Sequence, residues 1–173
     1  FSRIRTIHVR LRVPLYSLYL FESLKEDKEK IDTVNPVLYS INSNGQLQRN
    51  SISEQQLKEL LQYSKQNNIR VIPTVSSNNF ANMDKLLSSI DNYQLNIKHI
   101  VEEVNKYDFD GIDLDYESIN SMYQKEYIDY LTQLKTALGN KIFSITLLPQ
   151  WEDAQYTEKA ETRGIQKYSV IGS

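Results

Sequence analysis

Hydrophobic and polar residues follow two different periods along this chain of 173 residues. Some short stretches alternate at every second residue, which is typical of β-strands. Others repeat apolar residues at every third or fourth position, which is typical of amphipathic helices. Strands that alternate with helices favour right-handed crossovers and a parallel sheet. The predicted strands cover residues 7–13, 34–41, 69–75, 112–117 and 141–148.

Helix signals separate these predicted strands. Ser53 followed by Gln56 fits a capping box, in which each side chain bonds the backbone N–H of the other residue, so a helix is predicted to begin here. Gly139 follows the last periodic stretch and is typical of a helix end, and residues 42–45 have the composition of a turn. The predicted helices cover residues 23–32, 54–67, 90–104 and 127–138.

Length, composition and charge narrow the class of protein. The chain is 40% hydrophobic, and it contains no evident linker or repeat, so we expect residues 1–173 to form a single domain. The absence of cysteine excludes disulfides and thiolate metal sites. The formal charge of −2 does not favour a nucleic-acid partner, and the arginines near the start are interpreted as solvated strand residues. No apolar run approaches the ~20 residues of a membrane span.

The predicted strand at residues 112–117 has an unusual distribution of charge. A strand sends alternate side chains to opposite faces. Here the two faces are apolar and acidic, with Ile112, Leu114 and Tyr116 on one and Asp113, Asp115 and Glu117 on the other. Carboxylates held close together repel one another, which raises the pKa of at least one of them. This arrangement favours a site that needs a protonated carboxyl group near neutral pH. The alternative is a sheet-edge strand with a solvated acidic face, although such faces usually mix charge signs or use Thr and Lys.

The acids also fit a longer pattern. Asp110, Asp113, Asp115 and Glu117 match D-x-x-D-x-D-x-E, with Gly111 after the first acid and the aromatic Tyr116 before the last, as the sequence shows. This segment resembles the active-site strand of glycoside hydrolase family 18, the family of chitinases and related N-acetylglucosaminidases.

Two further segments, residues 34–39 and 69–73, resemble a bacterial subgroup of that family, which includes spore-cortex and other cell-wall hydrolases. One segment departs from the family pattern. Many chitinases have Ser-x-Gly-Gly after the third strand, whereas residues 76–79 read Ser-Ser-Asn-Asn, so the loop beside the site differs.

The resemblance implies a particular fold. Element order alone does not separate an open doubly wound sheet from a barrel, but the family folds as a (β/α)8 TIM barrel. A complete barrel takes ~250 residues. The chain is therefore expected to supply about the first five to six β/α units of a catalytic domain that is incomplete at its C-terminal end, and we expect these residues alone to be inactive.

The resemblance also implies roles for the acids. Glu117 would donate a proton to the glycosidic oxygen and later act as a base toward water. Asp115 would hold the N–H of the substrate's 2-acetamido group, whose carbonyl oxygen would be the nucleophile. Asp113 would share a proton with Asp115. Asp110 is expected to shape the start of the strand, because its offset differs from that of the other three acids.

The expected partner is a polysaccharide or oligosaccharide that contains N-acetylglucosamine. Trp151 and Gln150, just past the fifth predicted strand, and Tyr39, at the end of the second, are candidates for sugar contacts, since sugars stack on aromatic faces. No cofactor and no metal are expected, because His8 and His99 stand isolated in the sequence. The resemblance implies a secreted or cell-envelope location, and the start at Phe1 is consistent with a leader that has been removed.

Two other functions remain open from the sequence. A non-catalytic glycan-binding module could use the same scaffold, although such modules often replace the acid that Glu117 provides. A metal-dependent glycosyltransferase could use Asp113-Leu114-Asp115 as a D-x-D motif, but this interpretation leaves the four-acid spacing unexplained.

Overall fold

The computed structural model describes residues 10–13 and 31–147. The predicted first strand therefore falls within the described residues only from Arg10 onward. Residues 23–30, most of the predicted first helix, lie outside the described ranges.

Eight strands lie in two hydrogen-bonded groups, with the orders β1-β2-β5 and β4-β3-β6-β7-β8. Every pairing is parallel except that of β3 with β4. The strands are β1 (Arg10–Val13), β2 (Thr33–Pro36), β3 (Tyr39–Ile41), β4 (Leu47–Arg49), β5 (Arg70–Val71), β6 (Thr74–Ser77), β7 (Gly111–Tyr116) and β8 (Ile142–Ile145).

The second and third predicted strands are each interrupted once. The second divides into β2 and β3, and the third into β5 and β6. Pro36 and Pro73 stand at these breaks, and a proline has no N–H to give to a ladder. Pairing nevertheless continues across the breaks, because the N–H of Ile72 donates to the Val34 carbonyl at 3.0 Å and that of Asp113 to the Pro73 carbonyl at 2.9 Å. The two groups of strands are thus successive stretches of one layer.

Within residues 31–147, four α-helices cover the outer face of this layer. They are α1 (Glu54–Gln66), α2 (Phe80–Leu87), α3 (Ile90–Lys106) and α4 (Gln124–Leu138), the last preceded by a 3₁₀ turn at Ser121–Tyr123. The capping box predicted for α1 is present in both directions, from Ser53 and from Gln56. Gly139 follows α4 with φ of 58° and ψ of −118°, a positive-φ conformation that favours glycine. Among the described residues, no helix has the length and apolar character needed to cross a membrane.

Two elements were not predicted from the sequence. The turn at residues 42–45 leads into β4, which folds back on β3 as an antiparallel hairpin. Helix α2 lies between β6 and α3, and its N-terminus is capped by the side chain of Asn79, which accepts from the N–H of Asn82 at 3.1 Å. Both elements are short, so neither contains enough residues for a periodic pattern to emerge.

The core lies between the strands and the helices. The apolar residues Ile112, Leu114 and Tyr116 of β7 are all buried, as are Ile100 of α3 and Leu134 of α4. The acidic strand therefore packs its apolar face against helices, which leaves its acidic face on the opposite side of the layer.

The order of the strands identifies the architecture. When β2 with β3 and β5 with β6 are each taken as one strand, five parallel strands follow one another in chain order, each beside the next. A doubly wound sheet would reverse this order at a switch point, whereas a (β/α)8 barrel keeps it. The described strands thus form an arc of a (β/α)8 barrel, with the acidic face of β7 on the inside.

Candidate active site

The inner face of β7 carries two buried acids. Asp113 is 6% exposed and Asp115 is 8% exposed. In the parallel register, Asp113 lies beside Thr74 of β6 and Ser144 of β8, and Asp115 lies beside Ser76 of β6. Paired residues in neighbouring strands point to the same face of a sheet. The acids and hydroxyls therefore form two polar layers inside the arc.

Asp113 is held from both sides by hydroxyl groups. Thr74 Oγ1 donates to Asp113 Oδ2 at 3.0 Å, and Ser144 Oγ donates to Asp113 Oδ1 at 2.6 Å. A buried charge needs such partners to offset the cost of leaving water. The two contacts fix the carboxyl group of Asp113 between the neighbouring strands, directly below Asp115 in the inner row.

Glu117 follows the last residue of β7 at the carboxyl end of the strands. Its backbone N–H donates to the carbonyl of Ser77 at 2.9 Å, which extends the pairing of β7 with β6 by one step. Its side chain is exposed, unlike those of Asp113 and Asp115. Glu117 and Asp115 together line a cavity of about 220 Å³. The strand therefore presents one accessible carboxyl group at the mouth and two buried ones beneath it.

Asp110 and Gly111 shape the start of the acidic strand. Asp110 accepts from the backbone N–H of Val71 through Oδ2 at 2.8 Å and donates its own N–H to the Val71 carbonyl at 3.0 Å. A Cβ atom added to Gly111 would lie 2.0 Å from the carbonyl oxygen of Ile142, so only glycine permits this approach of β7 to β8. Both residues thus position the strand at the end far from Glu117.

A cluster of tyrosines supports β7 from the outer side. Tyr116 is fully buried, and its hydroxyl lies 3.3 Å from that of Tyr130, which donates to Asn96 Oδ1 at 3.0 Å. Burial raises the pKa of Tyr116 well above its usual value, and the neighbouring Tyr130 raises it further. Burial also raises the pKa of Tyr127, with smaller contributions from Tyr130 and from the charge of Asp115. These tyrosines stay neutral and act as packing for the strand that carries the acids.

Tyr39 does not lie with the acids. Its side chain is 1% exposed, and its hydroxyl donates to Glu103 Oε2 of α3 at 2.7 Å. Burial raises the pKa of this hydroxyl, and the bond to Glu103 raises it further. In β3 the neighbouring Ser40 takes the inner position instead, paired with Ser76. A ring with so little exposure offers no face to a sugar, so we assign Tyr39 to packing and correct its prediction as a sugar contact. Trp151 and Gln150 lie outside the described residues.

Three asparagines complete the cavity and were missed in the sequence. Asn78, Asn79 and Asn82 line it on the side of α2, next to Ser40 and Ser76. Asn79 caps α2, and Asn82 Nδ2 donates to the Ile41 carbonyl at 2.8 Å. The sequence signal was the Ser-Ser-Asn-Asn segment, which differs from the glycine pair of many chitinases, but its polar residues also suit an ordinary loop. Within the part of the chain that the structure describes, no group of three or more His, Asp or Glu side chains is arranged to hold a metal ion.

Comparison with solved structures shows the same fold in enzymes of known class. A class V chitininase from Pseudomonas fluorescens Pf-5 superposes with a TM-score of 0.76 at 20% identity, over 88% of this chain and 47% of that one. The spore cortex-lytic enzyme SleL of Bacillus cereus gives a TM-score of 0.80 at 16% identity, over 97% of this chain and 39% of that one. A Group IV chitinase from Ostrinia furnacalis, solved in complex with allosamidin, superposes with a TM-score of 0.60 at 15% identity. The superposition covers 66% of this chain and 35% of that one.

The chain thus spans less than half the length of these structures. A comparison with curated proteins found no match. The sequence matches the profile of the glycosyl hydrolases family 18 over residues 16–169, which is most of the chain. This match agrees with the barrel topology and with the four acids of residues 110–117, and the chain belongs to glycosyl hydrolase family 18.

Proposed function

We propose that the full-length protein hydrolyses β-linked glycans that contain N-acetylglucosamine, with net retention and with assistance from the substrate itself. The observation that carries this proposal is the graded exposure of the acids on β7. Glu117 is accessible in a cavity, and Asp115 lines the same cavity. Asp113 is buried below Asp115 and is held by two hydroxyl hydrogen bonds. A proton donor at the surface above fixed carboxyl groups suits acid–base chemistry on a sugar.

Glu117 is the proposed general acid. In its protonated form it gives its proton to the glycosidic oxygen while the bond from that oxygen to C1 of the sugar breaks. The carbonyl oxygen of the sugar's own 2-acetamido group forms a bond to C1 and produces an oxazolinium ion. Glu117, now a carboxylate, takes a proton from water as the water attacks C1 and the bond from C1 to the acetamido oxygen breaks. Two displacements at C1 restore the original configuration.

Asp115 is the proposed partner of the acetamido group. Its carboxylate would accept a hydrogen bond from the acetamido N–H, which turns the carbonyl oxygen toward C1 and stabilises the positive charge of the oxazolinium ion. Asp113 would act through Asp115 and share a proton with it. The two hydroxyl contacts of Asp113 support this role, because they hold its carboxyl group in one place.

The substrate could be chitin, peptidoglycan glycan strands or a related polymer. Similar structures include chitinases and a spore cortex-lytic enzyme, which supports a polymer of the cell wall and an action outside the cell. The alternative, a glycan-binding module without activity, is less well supported because Glu117 is present and accessible.

A substrate comparison tests the mechanism. The full-length protein is assayed on matched oligosaccharides of N-acetylglucosamine and of glucose. We expect cleavage only of the acetamido sugars and inhibition by a thiazoline analogue of the intermediate and by allosamidin, because both probe the same subsite. Equal rates on the two sugars would contradict substrate assistance. Tight binding of the acetamido sugars without any cleavage would instead support the binding module.

A further inference from the structure

The cavity beside Glu117 has a wall of uncharged polar groups. Apart from Asp115 and Glu117, the described residues that line it are neutral, and none is aromatic. Ser40 and Ser76 contribute hydroxyls from β3 and β6, and the remaining polar groups come from residues 77–79 and from Asn82. Among these described lining residues the charge is therefore entirely negative, and their side chains that can donate hydrogen bonds to a ligand are hydroxyls and amides.

Asn78 differs from the other two asparagines in this wall. The side chains of Asn79 and Asn82 are engaged in the helix cap and in the bond to the Ile41 carbonyl. The amide of Asn78 is exposed and makes no hydrogen bond to any residue within 10–13 and 31–147. Both its donor and its acceptor are thus available to a ligand in the cavity.

The backbone that carries Asn78 is held on both sides. The carbonyl of Ser77 accepts the N–H of Glu117 at 2.9 Å, so the residue before Asn78 is bonded to the residue that carries the proposed acid. The residue after it, Asn79, is fixed as the cap of α2. Because this backbone is already anchored, a ligand that binds Asn78 has to order only the side chain and not the loop, which favours its use as a contact.

We propose that Asn78 contacts the substrate in the cavity beside Glu117 and that the acids of this cavity restrict it to an uncharged sugar unit. This inference rests on the proposed function. Pockets for drug-sized ligands usually begin at ~300 Å³, so the described part of the cavity, with a volume of about 220 Å³, has room for a smaller group such as one sugar unit. The amide can exchange hydrogen bonds with hydroxyl or acetamido groups. A carboxylate substituent would meet Asp115 and Glu117 with no cation among the described lining residues, and such like-charge contacts select against a ligand.

The test compares Asn78→Ala, Asn78→Asp and a matched control, Asn140→Ala, in the full-length protein. Asn140 is an exposed asparagine in the loop between α4 and β8, away from the cavity. The substrates are N-acetylglucosamine oligosaccharides and the same oligosaccharides with a carboxylate-bearing unit at the cleaved position. We expect Asn78→Ala to raise KM for the neutral substrate about three- to tenfold, because the variant loses one or two neutral hydrogen bonds to the substrate. Its kcat should stay within about twofold of the wild-type value.

The Asp variant separates contact from packing. Asn78→Asp keeps the shape of the side chain but loses both amide donors and adds a negative charge, so we expect a larger rise in KM than for Ala. The wild type should prefer the neutral substrate by at least about tenfold in kcat/KM, and Asn140→Ala should match the wild type. If Asn78→Ala and Asn78→Asp leave KM unchanged in an active enzyme, the inference is wrong and the proposed function stands. If the wild type hydrolyses neither substrate, the proposed function fails and the inference falls with it.

Discussion

At the residue scale, the molecule separates one accessible acid from two enclosed ones. Glu117 sits one residue past the end of β7, where the side chain reaches the cavity, while Asp113 and Asp115 stay within the strand. The separation follows from the strand period, which places the three acids on one face at successive heights. This grading is the reason we propose Glu117, the most exposed of the three carboxyl groups, as the one that transfers the proton.

Replacing Glu117 by glutamine tests that assignment. The amide keeps the shape of the side chain but cannot transfer a proton, so we expect kcat on an N-acetylglucosamine oligosaccharide to fall by about 10²- to 10⁴-fold. Binding of the same oligosaccharide, measured by calorimetry, should persist. A variant with normal turnover would remove Glu117 from the role of acid. A variant that binds nothing would show that the side chain is needed for the shape of the cavity.

Tyr39 shows that a sequence pattern can locate a strand without deciding which of its residues face inward. The sequence indicates that a strand ends near residue 41, but a shift of one residue exchanges the two faces of a strand. The sequence therefore does not decide whether Tyr39 or Ser40 lies on the inner face. Tyr39 was predicted as the sugar contact because sugars stack on aromatic rings. The structure gives the inner position to Ser40, because the hydroxyl of Tyr39 meets Glu103 in α3.

At the element scale, the acidic strand depends on its close contact with β8. Gly111 is the point of closest approach, since an added Cβ would lie 2.0 Å from the Ile142 carbonyl oxygen and 2.8 Å from the Ile142 Cβ. A backbone atom cannot move aside as the end of a flexible side chain can. The first residue of β7 therefore sets how tightly the strand that carries the acids joins its neighbour.

We expect Gly111→Ala to lower the free energy of unfolding by about 3 kcal/mol or more, the upper part of the usual range for overpacking. Urea unfolding of the full-length protein provides the measurement. Gly139→Ala is the matched control, because nothing lies within 4 Å of its added Cβ and only its backbone conformation, with φ of 58° and ψ of −118°, opposes alanine. The loss of unfolding free energy should be smaller, about 1–2 kcal/mol. An equal cost for the two variants would contradict the close approach.

Elements with a long, clear period were predictable, and short ones were not. The helices that became α1, α3 and α4 and the strand that became β7 were predicted within a few residues, because apolar residues recur through each of them. The three-residue strand β4 and the eight-residue helix α2 carry too few apolar positions for a period to show. Since α2 and the loop before it form one wall of the cavity, the sequence predicted the acids of the site but not the surface that faces them.

At the scale of the whole molecule, buried tyrosines link folding to pH. Tyr93, Tyr116, Tyr127 and Tyr130 lie together between β7, α3 and α4. Burial, and next the hydrogen bond to Asp129, raise the pKa of Tyr93 to about 12. The same hydroxyl titrates near ~10 in the unfolded chain. Between these values the unfolded state releases its proton first, so it binds fewer protons than the folded state and stability falls as the pH rises.

We therefore expect the unfolding free energy to begin to fall above about pH 10 and to keep falling toward pH 12, with Tyr93 as one contributor. Chemical unfolding at a series of pH values gives the measurement, and tyrosinate absorbance reports ionisation. Tyr93→Phe should flatten the decline, because it removes one titrating group from the cluster. A stability that stays constant to pH 12 would contradict this account.

The chain-order arrangement of the strands also bears on how the protein is made. Asp113 takes one hydrogen bond from Thr74 and the other from Ser144, and the strands that carry these three residues are consecutive neighbours. The floor of the site is thus encoded by one uninterrupted stretch, residues 74–145. During synthesis, domains form from the N-terminal side as the chain emerges. Once a ribosome has released this stretch, the acid row and both hydroxyl partners of Asp113 are present together in the nascent chain.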